Sequence, residues 1–223
     1  MSLKPPKKSE INKGWLDGRY KGKKKKMQPE YHLIITEGTK TEPNYFKAIK
    51  NLINKNYSTK IQLEIVGQGD NTTNLFDEAK KLVKGNPNGY KHVWIIYDTD
   101  EFPQDKINEV PDSCKKESSN ECEYHAIWSN QCIELWFLLH FSFMHSDLHR
   151  NEYQDKLSEQ LNVLEVGPYT KTRDDMFDVL KDYTDTAIAN AKKLEKINSG
   201  KTPSKSAPGT KVYELIEKLK HYW

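Results

Sequence analysis

Acidic side chains follow two apolar segments of the chain, at the points where each segment is expected to end as a strand. Asp98 and Asp100 come directly after the β-branched and aromatic run 93–97, which is typical of a strand buried on both faces. Glu37 follows a second apolar run, residues 31–35. The carboxyl ends of parallel strands meet at one sheet edge, so we expect these carboxylates to lie close together. Because Mg²⁺ prefers such oxygen ligands, the sequence predicts a divalent-cation site there.

A fourth acid, Glu134, lies near the start of the segment 133–143, which is apolar on nearly every side and is predicted to be a buried helix. The segment 124–128 before it is predicted to be a strand. A buried carboxylate is unfavourable unless it is paired, hydrogen-bonded or bound to metal. Glu134 is therefore interpreted as a metal ligand or as support for the other ligands. The alternative is that the helix N-terminus and one basic side chain satisfy it.

Three residues after the first predicted strand have less specific interpretations. Gly38 is expected to allow the tight turn that projects Glu37 forward. Lys40 is placed either to contact a scissile phosphate or to neutralise the acids, and the sequence does not separate these two roles. Glu42 is interpreted as an acid that favours the start of the following helix.

The alternation of predicted strands and helices indicates an α/β fold with a mainly parallel sheet of about four strands flanked by helices. After about residue 145 the pattern becomes helical. We therefore divide the 223 residues into three segments: a flexible basic arm, residues 1–28; an α/β core, residues 29–145; and a helical extension packed on the core, residues 146–223.

The positive charge of the chain is concentrated at its amino terminus. Residues 1–30 hold ten Lys or Arg and three acids, a net charge of +7, whereas the whole chain has +3, so the remainder has −4. The basic arm is expected to contact nucleic-acid phosphates, and the alternative is a solubilising tail. The candidate contact residues are Lys23, Lys24, Lys25 and Lys26.

Other features exclude several classes of protein. No apolar run is long enough for a membrane span or forms a signal region, so a soluble cytoplasmic protein is expected. The three cysteines lack C-x-x-C spacing and are interpreted as reduced and structural. His140, His145 and His149 lack further zinc ligands at a convincing spacing and are interpreted as surface or helix-end residues.

The motif residues resemble two known groups of proteins. Glu37-Gly38 after one strand and Asp98-x-Asp100 after a later one resemble the Toprim signature of bacterial primases, topoisomerases and overcoming-lysogenization-type nucleases. The segments 36–46 and 128–141 resemble the two signature blocks of the RloB-like family. This resemblance implies a Toprim-like core and a role in abortive phage infection, often beside an ABC-type ATPase called RloA.

The segment 169–173 resembles a third RloB-like block. Its Lys171 and Arg173 are candidates for phosphate contacts, and the alternative is a solvated loop. The segment 208–212 resembles the family's carboxy-terminal block, although Ala207 stands where an Asn is often found.

Together these features predict Mg²⁺- or Mn²⁺-dependent cleavage of phosphodiester bonds. Asp98 and Asp100 would hold one or two metal ions, with Glu134 as a further ligand. Glu37, as in Toprim enzymes, would act as general acid or base or bind a second metal. Two alternatives stay open: a non-catalytic docking subunit of an ATPase-controlled complex, and a primase-like nucleotidyl transferase. DNA and RNA, including tRNA, are equally admissible substrates.

Overall fold

The computed structural model of the protein describes residues 28–69, 72–99 and 103–223. Asp100 and the four lysines of the basic arm, Lys23 to Lys26, lie outside the described residues. The interpretations placed on them stay predictions.

Four parallel strands form the centre of the fold, as the alternating pattern predicted. They are β1 (Glu30–Thr36), β2 (Ile61–Gly67), β3 (His92–Asp98) and β4 (Glu123–Asn130). A fifth strand of two residues, β5 (Gly209–Thr210), pairs antiparallel with β4. The order across the sheet is β2-β1-β3-β4-β5. The short edge strand comes from the segment predicted as a helical extension, and two residues are too few to give a periodic pattern.

Helices cover both faces of the sheet. Their bounds are α1 (Thr41–Tyr57), α2 (Thr72–Gly85), α3 (Gln104–Glu117), α4 (Glu134–Leu138), α5 (Arg150–Val163), α6 (Met176–Leu180), α7 (Thr184–Ile197) and α8 (Val212–Leu219). Short 3₁₀ helices occupy Lys181–Tyr183, Pro203–Lys205 and Lys220–Tyr222. None of these helices combines the length and the apolar character that crossing a membrane requires.

The strand β3 is buried on both sides, which explains its continuous apolar sequence. Trp94 and Ile96 face a cluster that includes residues of α1 and of the helices from α4 onward. Val93 and Ile95 face a second cluster formed with α2 and α3. Since neither face of β3 meets water, alternation of polar and apolar residues is absent from it.

The helix α4 is much shorter than the predicted 133–143. Beyond Leu138 the backbone makes tighter bonds, from the N–H of His140 to Phe137 O at 3.3 Å and from the N–H of Phe141 to Leu138 O at 3.0 Å. His140 Nδ1 also lies 2.9 Å from Trp136 O, so its side chain bonds the backbone of the turn before it. Contacts with i−3 carbonyls of this kind commonly end a helix.

The helix α1 offers a direct test of the core. Phe46 is fully buried, whereas its neighbour Lys47 is exposed. We expect Phe46→Ala to lower the free energy of unfolding by about 3–5 kcal/mol, because it removes apolar contacts and leaves a cavity. Lys47→Ala is the matched control and should change stability by less than about 0.5 kcal/mol. Urea denaturation measures both, and similar midpoints for the two variants would contradict this packing.

Candidate functional site

The carboxyl edge of the sheet places Glu37 and Asp98 on adjacent strands. Thr36 of β1 pairs with Ile96 of β3, so Glu37 is level with Tyr97, one residue before Asp98. Strand spacing of about 4.8 Å and a rise of about 3.3 Å per residue put the two Cα atoms about 6 Å apart. The backbone N–H of Glu37 donates to Ile96 O at 3.0 Å, which holds the turn after β1 against β3. Both side chains are half-buried.

Cys132 lies near both Asp98 and Glu134. Asp98 lies two residues beyond Ile96 and therefore on the sheet face that α4 covers. Burial raises the pKa of the fully buried Cys132 thiol, and the negative charges of Glu134 and Asp98 raise it further. Both carboxylates thus lie near one thiol. The expectation that this cysteine is reduced holds, since it forms no disulfide.

Glu134 is the first residue of α4 and only 2 % exposed. The Tyr169 hydroxyl donates to its Oε1 at 2.9 Å, and Gln154 Nε2 donates to the same oxygen at 3.1 Å. Burial and the Glu134 charge both raise the pKa of Tyr169, which keeps the phenol protonated as a donor. Two neutral side chains from the helical extension therefore position this carboxylate. Neither of them was predicted to have that role from the sequence.

Glu42 lies with Glu134 and Asp98 in a group of acids, the acidic cluster. Its place in this group was not predicted from the sequence. Its side chain is 6 % exposed, and burial raises its pKa, with a further contribution from the charge of Glu134. Lys171 and Arg150 act in the opposite direction on that pKa, so positive charge also lies nearby. Position alone could not reveal this burial, because an acid in the first turn of a helix favours the helix start whether it is buried or exposed.

Gly38 makes room for Glu42. A Cβ at Gly38 would overlap the Glu42 carboxylate. The chain bends after β1 as expected, and Gly38 is not among the glycines with positive φ. Its missing side chain matters because a carboxylate occupies that space.

The loop around Lys171 packs on the first turn of α1. Thr41 Oγ1 donates to Lys171 O at 3.1 Å, and Asn44 Nδ2 donates to Thr172 O at 3.2 Å. These bonds bring the exposed Lys171 beside the acidic cluster. Lys40 is also exposed and immediately precedes α1. Two lysines therefore lie at the entrance to the carboxyl edge.

Arg173 is engaged within its own loop. Its guanidinium donates to both carboxylate oxygens of Asp175, at 2.5 and 2.8 Å, and to the carbonyls of Val166, Gly167 and Pro168. A phosphate would have to compete with these bonds. The predicted phosphate contact of Arg173 stays a prediction, and the observed bonds assign it a part in folding the loop.

The donors at this edge suit a hard divalent cation. Glu37, Glu42, Asp98 and Glu134 provide carboxylate oxygens, the ligands that Mg²⁺ and Mn²⁺ prefer. The raised pKa of Glu42 is the effect expected of acids that crowd together with little water. The structure thus places Asp98 and Glu134 near one thiol and adds Glu42, with Glu37 at the end of the neighbouring strand. Among the described residues, no three of these acids have ligand atoms that all lie within 4.8 Å of one another.

The histidines considered for zinc lie at the surface or at helix ends, as expected. His140 lies just beyond the end of α4, where it is buried, and burial lowers its pKa to about 4. His149 precedes α5 and forms a capping box with Glu152, as expected for a helix-end residue. Among the described residues, no group of potential metal ligands includes His140, His145 or His149.

Fold and site together define an α/β protein whose parallel sheet carries clustered acids at its carboxyl edge. The sequence model of the RloB-like proteins matches residues 32–219, and the chain therefore belongs to the RloB-like family. No curated protein and no solved structure matched the chain. The resemblance inferred from the two signature blocks is confirmed.

The raised pKa of Glu42 predicts a pH-dependent stability. A carboxyl whose pKa is higher in the folded state binds more protons there, so its contribution to stability is lost as the pH rises above its ordinary value of 4.5. We expect Glu42→Gln to gain stability relative to the wild type between pH 4.5 and neutral pH, in chelator. Thermal melts across this range measure the difference. Glu159→Gln, which changes an exposed acid of α5, is the control, and curves for wild type and Glu42→Gln that stay parallel would refute the assignment.

The bond from Tyr169 to Glu134 gives a second prediction. Tyr169→Phe removes one of the two donors to a buried carboxylate oxygen, so we expect a loss of about 1–3 kcal/mol in the free energy of unfolding. Tyr183→Phe removes the hydroxyl of a tyrosine that is 41 % exposed and should leave stability nearly unchanged. Chemical denaturation of both variants tests this, and equal effects would show that the buried bond contributes nothing.

Proposed function

We propose that this RloB-like protein is a divalent-metal-dependent nuclease that cleaves phosphodiester bonds in DNA or RNA and acts as an abortive-infection effector. The observation behind the proposal is the burial of Glu134 and Glu42 together, beside Asp98, at the carboxyl edge of a parallel sheet. Such edges are where α/β proteins bind ligands.

Crowded acids are unfavourable unless something compensates their charge. If this edge served only for packing, neutral side chains would make the protein more stable. Buried carboxylates lose their hydration, and hydrogen bonds and counter-charges often do not compensate for it fully. A divalent cation would compensate for the burial and for the nearby charge of Glu134, the two effects that raise the pKa of Glu42. The arrangement is therefore best explained by a site that is complete only with a cation.

The residues divide into three roles under this proposal. Asp98 and Glu134 would hold Mg²⁺ or Mn²⁺, with Asp100 as a further ligand expected from the sequence. When bound, such a cation supplies Lewis acidity toward a phosphate oxygen. Tyr169 and Gln154 fix the orientation of Glu134, because both donate to its Oε1.

The remaining groups would act on the nucleic acid. Glu37 projects from the turn after β1 and is the candidate general acid or base, or a ligand to a second metal. Lys40 and Lys171 lie exposed beside the acids, where they can bind the phosphates flanking the reacting one. The basic arm would add contacts that are independent of sequence.

A second function has one observation in its favour. The Glu134 carboxylate already accepts two hydrogen bonds without a cation, which a core without catalytic activity would also require. In that case the protein would be a docking subunit of a defence complex controlled by an ABC-type ATPase of the RloA kind. Such a subunit would retain the fold and bind its partner without cleaving nucleic acid.

The decisive experiment compares metal binding and cleavage in matched variants. We expect wild-type protein to bind Mg²⁺ or Mn²⁺ by calorimetry, and Asp98→Asn and Glu134→Gln to lose that binding. Cleavage of tRNA, single-stranded DNA and plasmid should fall at least about 100-fold, because a catalytic metal contributes several kcal/mol and each 1.36 kcal/mol is tenfold in rate. The assays are run with and without the ATPase partner.

The control is Asp112→Asn, which changes an exposed acid of α3 and should leave binding and cleavage intact. Thermal melts in chelator establish that each variant is folded. Unchanged metal binding in Asp98→Asn and Glu134→Gln would overturn the nuclease proposal. Capture of the ATPase by a wild-type protein that binds no metal and cleaves nothing would support the docking function.

A further inference from the structure

Histidines and glutamates gather at the amino edge of the sheet, where β3 and β4 begin. His92 Nδ1 lies 3.0 Å from His125 Nε2. Glu123 Oε2 lies 3.5 Å from His92 Nδ1 and 3.9 Å from His125 Nε2. The three atoms belong to different side chains and form a triangle with sides of 3.0, 3.5 and 3.9 Å. The strand register brings these side chains together, since His92 pairs with Glu123 and Trp94 pairs with His125.

The size of this triangle matches one face of a tetrahedral metal site. Zinc binds imidazole nitrogen at about 2.0–2.1 Å and carboxylate oxygen at about 2.0–2.2 Å, and these bond lengths place tetrahedral ligands about 3.3–3.5 Å apart. The observed separations of 3.0, 3.5 and 3.9 Å lie around that value. One ion can therefore reach all three atoms with only small side-chain movements.

We propose that His92, Glu123 and His125 bind one divalent transition-metal ion of the zinc type. Two imidazoles and one carboxylate are a donor set that zinc uses and that Mg²⁺, which prefers oxygen, does not. Two imidazole nitrogens 3.0 Å apart can share a single proton or, when both are deprotonated, a single cation. The triangle is open to solvent, because the Glu123 side chain is 45 % exposed and that of His125 is 25 % exposed, so water could supply a fourth ligand.

A neighbouring triple, formed by Glu30, His32 and His92, is less suitable. The indole N–H of Trp94 donates to His32 Nδ1 at 3.3 Å, so the neutral His32 ring has its proton on Nε2 and offers no lone pair there. Within the described part of the chain, this buried Nε2 has no hydrogen-bond partner, and Glu30 Oε2 lies 3.6 Å away. The N–H needs an acceptor, which a cation cannot supply, so this triple is the poorer metal site.

The surroundings of the triangle keep its ligands ready for a metal. Burial lowers the pKa of His92 to about 4 and lowers that of His125, whereas the negative charge of Glu123 acts in the opposite direction on both. Neutral imidazoles are the forms that bind metal. Lys91 Nζ lies 3.8 Å from Glu123 Oε1, which leaves the other oxygen, Oε2, to face the histidines.

The proposed site is separate from the acidic cluster. His92 begins β3 and Asp98 ends it, so six residues at about 3.3 Å each put the two ends about 20 Å apart. A metal at the amino edge would join the starts of β3 and β4 and so stabilise the folded state by mass action. The two sites would therefore respond to different metals and different substitutions.

The test is titration of Zn²⁺ into metal-stripped, full-length protein by calorimetry, with Co²⁺ absorption as a second measurement. We expect one zinc to be lost in His125→Asn and in Glu123→Gln, with affinity falling at least about tenfold. Intense visible absorption by Co²⁺ would report tetrahedral coordination in the wild type and disappear in both variants. Glu123→Gln alters a half-exposed side chain, so it keeps the test valid if His125→Asn fails to fold.

Two controls separate this site from others. His145→Asn changes an exposed histidine and should bind zinc as the wild type does. Asp98→Asn should also retain the site, which distinguishes it from the carboxyl edge. Absence of zinc binding in the wild type, or wild-type affinity in both His125→Asn and Glu123→Gln, would overturn the proposal and leave the triangle as a hydrogen-bonded network alone.

Discussion

The burial of two like charges, Glu134 and Glu42, is the constraint to which the rest of this structure responds. A carboxylate in an apolar interior needs donors or a counter-charge. Tyr169 and Gln154 supply donors to Glu134, and the Lys171 loop brings positive charge to Glu42. All three come from the carboxy-terminal third of the chain. The acidic edge is thus formed by the core and completed by the extension.

This dependence gives the helical extension a definite role. It supplies donors to the site, and through β5 it also pairs with β4, whose outer edge would otherwise expose unpaired backbone groups. The Ser129 and Thr210 hydroxyls lie 2.9 Å apart across this pairing. The α/β core and the helical extension therefore differ in sequence pattern, but they pack together closely, since both contribute strands to one sheet.

The predictable features were those that local pattern determines. The parallel strands follow from apolar runs, and the approach of Glu37 to Asp98 follows from strand ends meeting at one edge. Partners distant in sequence could not be predicted: Tyr169 reaches Glu134 across 35 positions, and His125 reaches His92 across 33. The histidines did leave a signal, since β1, β3 and β4 each have one within their first three residues. Because these strands are parallel and in register, histidines near their starts lie next to one another.

Chain order sets an order of assembly for the acidic edge. The strands β1 to β4 are translated first, together with Glu37, Glu42, Asp98 and Glu134. Domains generally fold as units during synthesis. Tyr169 follows later, and β5 later still, at residues 209–210. A nascent chain on the ribosome thus has all its acids before it has the donor that orients Glu134. The donor that orients Glu134 is therefore added only after all four parallel strands have been translated.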